Sequence, residues 1–403
     1  MLVDKFSSFG GAHAETAAMK NLLAHAGVVS PLTGAPLSEA MCLGIAGGIA
    51  AGYSFCPSVP EDNAGSGVSV VGRYKAYATG PDYYQGFFSK LKISTHILET
   101  TSERTAHRNL LETLQSGHPA VVWSAPMLLS YNAHPCTSGM YSCIVYGVDS
   151  DREVALVSDR APNAWEVDLE TLAAARKKVC SHKNRLLYIG TPSYLSVELL
   201  RSAVIAGVQE CVRDLMVPKI KTYNLPGLLE WSRIINSTRN KKGWQVVYSD
   251  GNFYPALRDV YDSVETGGTG GGLFRPLYAQ FLDEAAELTD KKSLHACAEL
   301  YRRLGVRWKE VAEVFLDNEI PEFARTKELL NQRRSLLENE GFSANARLQE
   351  ILNELTDIDT RILDEFPLSD KAGVRLLNKL AEELEGVYEA EMDAAEALER
   401  AMR

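Results

Sequence analysis

Apolar and polar positions follow two rhythms along this chain, and the change falls near residue 192. Before it, helical periodicity alternates with short β-like runs. Ala14 to His25 reads as a helix with Ala18, Leu22 and Leu23 on one face. Ser38 to Ala51 reads as another, with Met41, Ile45 and Ile49 apolar and Gly44, Gly47 and Gly48 suited to close backbone packing. The pattern then predicts a strand over Lys92–Glu99, a helix over Arg104–Ser116 and a strand over Ala120–Trp123. Tyr141–Val148 and Glu153–Val157 form a predicted hairpin around Asp149-Ser150-Asp151. A helix over Leu169–Lys178 and a strand over Arg185–Ile189 close this half. Hairpins among helices predict an α+β fold rather than a doubly wound sheet.

After Gly190-Thr191-Pro192 the rhythm is helical throughout. Helices are predicted over Ser196–Val212, Gly227–Ile235, Tyr254–Val264, Phe274–Ala286, Lys292–Leu316 and Pro321–Asn339. Two long ones follow, Ala344–Phe366 and Ser369–Met402, with charged outer faces that suit packing on each other or on a second copy in a homodimer. The chain of 403 residues suits two domains, 1–192 and 193–403.

Composition narrows the partners. The net charge of -10 argues against nucleic acid, which demands a basic face. No run of apolar residues is long enough for a membrane span, and Met1-Leu2-Val3-Asp4-Lys5 lacks a signal-peptide layout. The 7 cysteines are scattered without zinc spacing, which reads as reduced thiols in a cytoplasmic protein with no metal.

The candidate chemistry starts at Phe9-Gly10-Gly11-Ala12-His13-Ala14-Glu15-Thr16, a loop entering a helix. Unpaired amides and the helix dipole favour a thiolate or an oxyanion at such a place. Four further motifs accompany it: Leu37-Ser38-Glu39-Ala40-Met41, Tyr146-Gly147-Val148-Asp149, Ser158-Asp159-Arg160-Ala161-Pro162 and Gly270-Gly271-Gly272-Leu273-Phe274-Arg275. Together the five resemble the family of the butirosin biosynthesis H acyltransferase, joined to the helical C-terminal domain often found with it. The resemblance covers nearly the whole chain. It implies a papain-like cysteine-peptidase fold followed by an α-helical domain. It also implies a Cys-His-Asp site that moves an acyl group from a carrier-protein thioester to an aminosugar amine. The family's His-Cys pair matches His13-Ala14, and its histidine falls where Tyr141 or Ser142 stands; Asp159 matches the third residue.

With both nucleophile and base replaced, acyl-enzyme chemistry is not expected here. A thioester is already activated, and an amine attacks it directly if both are oriented. Orientation supplies roughly 7–11 kcal/mol, and oxyanion donors about 3–4 kcal/mol. The expected activity is therefore amide formation by direct aminolysis between a carrier-bound acyl or aminoacyl group and a small-molecule amine. The phosphopantetheine of an acyl or peptidyl carrier protein would be the substrate arm, with no cofactor of the protein's own. Condensing enzymes of lincosamide antibiotic assembly carry out a reaction of this kind. Two alternatives stand beside it. One is a non-catalytic relative that binds an acylated carrier or a partner protein. The other is a papain-like acyltransferase or peptidase with a designed cysteine-to-alanine exchange at 14.

The candidate catalytic residues are Asp159, Glu15, His13, His134 and Tyr141. Asp159 is a base or amine anchor, or else a turn residue bonding its own loop. Glu15 is a base or a complement to the helix dipole. His13 and His134 are active imidazoles or structural ones, and Tyr141 is a hydrogen-bond donor or strand packing. Ala14, Ser142, Trp123, Arg160 and Arg275 are the expected substrate-binding positions. Cys143 and Cys136 are relocated nucleophiles or, for Cys143, a buried strand thiol. The glycine segment 267–272 either cradles an anion with Arg275 or permits close packing.

Overall fold

The computed structural model describes residues 1–55, 66–73, 80–132, 141–217, 220–248 and 253–403. The fold is α+β, with two sheets among many helices. Two compact units divide it, and neither is contiguous in sequence. The first gathers 1–42, 80–203 and 333–352, and the second 43–79, 204–332 and 353–403. Residues 43–79 and 333–352 thus cluster with units other than those a boundary at 192 assigns.

The first unit is built on a six-stranded sheet of β3 (Thr95–Leu98), β4 (Ala120–Ser124), β5 (Tyr141–Asp149), β6 (Val154–Ser158), β7 (Trp165–Asp168) and β8 (Leu186–Ile189), in the order β3-β8-β4-β5-β6-β7. Each neighbouring pair is antiparallel, and the predicted hairpin is β5–β6. Helix α1 (Ala14–His25) packs on β5, while the Leu169–Lys178 helix covers β4. Both helices start and stop where their apolar rhythm does. The Glu103–Gln115 helix begins where Ser102 accepts from the Thr105 amide.

A late stretch of chain completes this unit. Arg333 donates to the carbonyl and side-chain oxygens of Asn132 at 3.2 and 3.1 Å. Asn163 Nδ2 donates to the Glu340 carbonyl, the Phe342 amide to that of Ala164, and Gln349 to that of Ser130. Residues 333–352 therefore brace the two loops that follow β4 and β6.

The second unit holds a two-stranded antiparallel sheet, β1 (Tyr53–Phe55) and β2 (Val68–Val70), among helices. Helix α2 (Glu39–Ile45), of which residues 39–42 belong to the first unit and 43–45 to the second, is shorter than the rhythm predicts, because Gly47 and Gly48 turn the chain with φ of +113° and +69°. The close packing expected of its glycines is present: a Cβ at Gly44 would lie 2.2 Å from the Phe281 ring. No described helix is long and apolar enough to cross a membrane.

Arg275 corrects one expectation. It is fully buried, and its Nε donates to Glu391 at 2.7 Å. Its other nitrogens donate to the carbonyls of Leu273 and Ala50, and Trp308 Nε1 donates to the same Glu391 oxygen. A guanidinium so engaged is not presented to a phosphate. The glycine segment likewise packs: the Gly272 amide donates to Glu265, and a Cβ there would lie 2.7 Å from the Gly305 carbonyl oxygen.

Candidate functional site

The entry to α1 is folded by its neighbours. Gly10 takes φ of +65°, and a Cβ there would stand 2.7 Å from the Arg160 carbonyl oxygen. The Gly11 amide donates to that same carbonyl at 2.8 Å. The glycine pair therefore lets the loop before α1 lie directly on the Asp159-Arg160 segment. Asn21, Ser158 and Ser8 extend the junction by side-chain hydrogen bonds.

His13 is the N-cap of α1, its Nδ1 accepting from the Thr16 amide. The capping role accounts for one ring nitrogen, and Nε2 lies 3.7 Å from Glu15. Glu39, the first residue of α2, reaches back to this helix start. Its oxygens accept from the amides of Ala12 and His13, each at 2.9 Å, and from the Thr16 hydroxyl at 2.8 Å. A carboxylate of the protein itself thus occupies amides that an oxyanion would otherwise use. The Ala14 amide has no partner among the described residues, and the Ala14 methyl is buried.

Around Asp159 the arrangement is tighter. Tyr141 Oη donates to both carboxylate oxygens, at 2.6 and 2.7 Å. Tyr131 Oη donates to Oδ2 at 3.0 Å, and its ring stacks on Trp165. Asp159 is buried, and that burial raises its pKa; Arg160 and the two tyrosines pull it back down. A carboxyl so placed holds a proton more readily than an exposed one. Burial, with the Asp159 charge beside them, pushes both tyrosines well above their ordinary range.

The tyrosine shifts have a measurable consequence. A pKa raised in the folded state leaves stability intact below the unfolded value of about 10 and removes it as pH rises beyond that. The melting temperature is expected to hold to about pH 9 and fall through pH 10 and above. Tyr141→Phe should flatten that fall in a thermal melt series from pH 8 to 11. An equally steep fall in the variant rejects the assignment.

The structure brings Tyr141, Asp159 and Arg160 together and ties them to the His13-Ala14-Glu15 helix start. It does not bring Ser142 or Trp123 there. Successive residues of a strand face opposite ways, so Ser142 turns from Tyr141 and accepts or donates with Tyr84 Oη at 2.9 Å. Trp123, opposite Ser142 in the ladder, packs edge-on against Tyr84, and both Ser142 and Trp123 are buried. As substrate contacts these two are corrected: they are core on the far face of the sheet. Arg275 belongs to the second unit and is already engaged. Cys143 is buried and its thiol is pushed up by burial, so it is held protonated. His134 and Cys136 lie outside the described residues.

Sequence reading missed Tyr131 and Glu39 as site residues. Glu39 lies within Leu37-Ser38-Glu39-Ala40-Met41, but nothing in its spacing tells that its carboxylate turns back on α1. Tyr131 carries no local signal, since its contact with Asp159 spans 28 positions.

Comparison with known proteins adds two matches. The family model described as butirosin biosynthesis protein H, N-terminal, matches residues 13–160. One described as a domain of unknown function, DUF4872, matches residues 168–342. No curated protein matches the chain.

Proposed function

We propose that this chain, which belongs to the butirosin biosynthesis protein H-like family through residues 13–160, forms amide bonds in antibiotic or other secondary-metabolite biosynthesis without an acyl-enzyme. The family match supports a role in antibiotic biosynthesis; the reaction is our reading of the site. A papain-like fold for the first unit agrees with α1 packed against an antiparallel sheet. The substrate is a carrier-bound acyl or aminoacyl thioester, and the acceptor is an amine.

The observation that carries this reading is the Tyr141–Asp159 pair, standing where the family implies histidine and aspartate. Tyr141 donates its hydroxyl hydrogen bond to Asp159, so a lone pair of its oxygen is left to accept the N–H of the attacking amine. The C–N bond forms and the C–S bond breaks. The amine proton passes through Tyr141 to Asp159, and the departing pantetheine thiolate is protonated in turn. Proton transfer of this kind contributes about 10²–10⁴-fold. The Ala14 amide at the helix start, without a partner among the described residues, is the donor this reading assigns to the oxyanion.

A second reading, a non-catalytic binder of acylated carrier, is favoured by one observation: Glu39 already fills the Ala12 and His13 amides. Incubation with acylated carrier and a panel of amines separates the two. Product above the rate without protein supports aminolysis, and a rate equal to it leaves only binding. Intact-mass analysis adds a further check. Ala14→Cys alone is expected to give no acyl-protein, because a thiol without an imidazole lacks its base; the adduct should need Tyr141→His as well. An acyl adduct on the unaltered chain would instead point to a relocated cysteine.

A further inference from the structure

Two stretches of the first unit meet at one corner of its six-stranded sheet. Residues 99–104 and 177–185 carry five cations, Arg104, Lys177, Lys178, Lys183 and Arg185, against the two carboxylates Glu99 and Glu103. In a chain with a net charge of -10 this is a local reversal of sign. The stretches are tied to each other. Lys177 Nζ donates to Glu103 at 2.6 Å, and Arg185 pairs with Glu99. The Thr100 amide donates to the Lys183 carbonyl at 2.8 Å, and Asn184 Nδ2 to the Thr100 carbonyl at 3.0 Å. Both carboxylates are thereby matched. Arg104, Lys178 and Lys183 remain, all exposed and without a carboxylate partner among the described residues. Lysines that end a helix complement its dipole, which accounts for Lys177 and Lys178. It does not account for Arg104, in the first turn of the Glu103–Gln115 helix, where the dipole opposes a cation. Nor does it account for Lys183, which stands beyond the helix in a left-handed turn with Asn184, at φ of +46° and +51°.

The strand register sets this corner at the same end of the sheet as Tyr141. Leu98, the last residue of β3, lies opposite Leu186, the first of β8; Leu186 lies opposite Val122, and Ser124, the last of β4, opposite Tyr141, the first of β5. The Ala125 amide donates to the Ala175 carbonyl, which brings the end of the Leu169–Lys178 helix to this end as well. Since β8 and β5 flank β4, two strand spacings, roughly 10 Å, separate the start of β8 from that of β5. We propose that this corner is the docking surface of the carrier protein: its cations receive the phosphate at the root of the pantetheine arm and the acidic face around it, and the arm runs along the sheet end to Tyr141. The carrier's identity as the partner rests on the proposed function. A phosphate backbone would need a broader basic face than five side chains on a chain this acidic.

The test measures binding of the full chain, without turnover, to a panel of acidic acyl and peptidyl carrier proteins in their pantetheinylated form, by fluorescence anisotropy. Lys178→Glu combined with Lys183→Glu should weaken binding about tenfold at low salt. The difference should shrink as ionic strength rises toward about 1 M, where charges are screened within about 3 Å. Lys309→Glu, which reverses an exposed lysine of the second unit, should leave the affinity unchanged. Amide formation is scored separately on the same samples. Docking without product overturns the proposed reaction alone, and product with the affinity of the double variant undiminished overturns the docking surface alone. The docking surface is also overturned if no carrier of the panel binds, or if the double variant, folded by circular dichroism, binds as tightly as Lys309→Glu. Binding of duplex RNA by the unaltered chain, lost in the double variant, would give the corner to nucleic acid instead.

Discussion

Asp159→Asn is expected to lower the rate of amide formation by about 10²–10⁴-fold while the protein stays folded. The substitution keeps the shape of the side chain and one acceptor oxygen, so Tyr141 or Tyr131 still has a partner. It removes the group that takes up the amine proton, and it leaves Arg160 without the carboxylate 4.0 Å away. A stability loss of about 1–3 kcal/mol is expected from the disturbed hydroxyl contacts. Single-turnover measurements with acylated carrier separate the two effects, since carrier binding should change little. A rate unchanged within twofold would remove Asp159 from the chemistry and favour the binding-only reading.

The largest stability effect belongs to the second unit. Arg275→Met should destabilise the protein by about 3–5 kcal/mol, because it strands the Glu391 carboxylate in a place with no exposure. Trp308 Nε1 would remain as a donor to Glu391, and the carbonyls of Leu273 and Ala50 would lose theirs. Adding Glu391→Leu should recover much of the loss, since an apolar pair of similar volume needs no desolvated charge. Urea midpoints of the single and double variants decide it. A double variant as unstable as Arg275→Met alone would mean that the carbonyl contacts, not the ion pair, hold this region.

Much of the secondary structure was legible because it depends on local rhythm. The helices Ala14–His25, Leu169–Lys178 and Pro321–Asn339 fall where their apolar spacing places them. Ser369, in a capping position before an alternation of Ala, Leu and Glu, starts the longest helix by accepting from the Ala372 amide. The strands Tyr53–Phe55 and Val68–Val70 were not legible, since three residues are too few to show a period. Trp165–Asp168 and the Gly80–Lys90 helix were missed as well; the latter opens on Gly-Pro, which reads as a turn. At the site, Asp159, Tyr141 and Arg160 were reached through a sequence motif. Tyr131 and Glu39 were not, because each arrives from a different segment and only the folded chain sets them beside the motif.

The bracing of the first unit by residues 333–352 bears on how the protein is made. A nascent chain that has emerged only as far as residue 203 carries every strand of the six-stranded sheet but lacks Arg333, Glu340 and Gln349. The loops that hold Tyr131 and Arg160 then wait for roughly 130 further residues of synthesis, which is several seconds or more at the usual pace of translation. Through that interval those loops lack their partners and are open to chaperones and to other chains. Codon usage and expression temperature across this stretch should therefore govern soluble yield more than they do elsewhere in the gene.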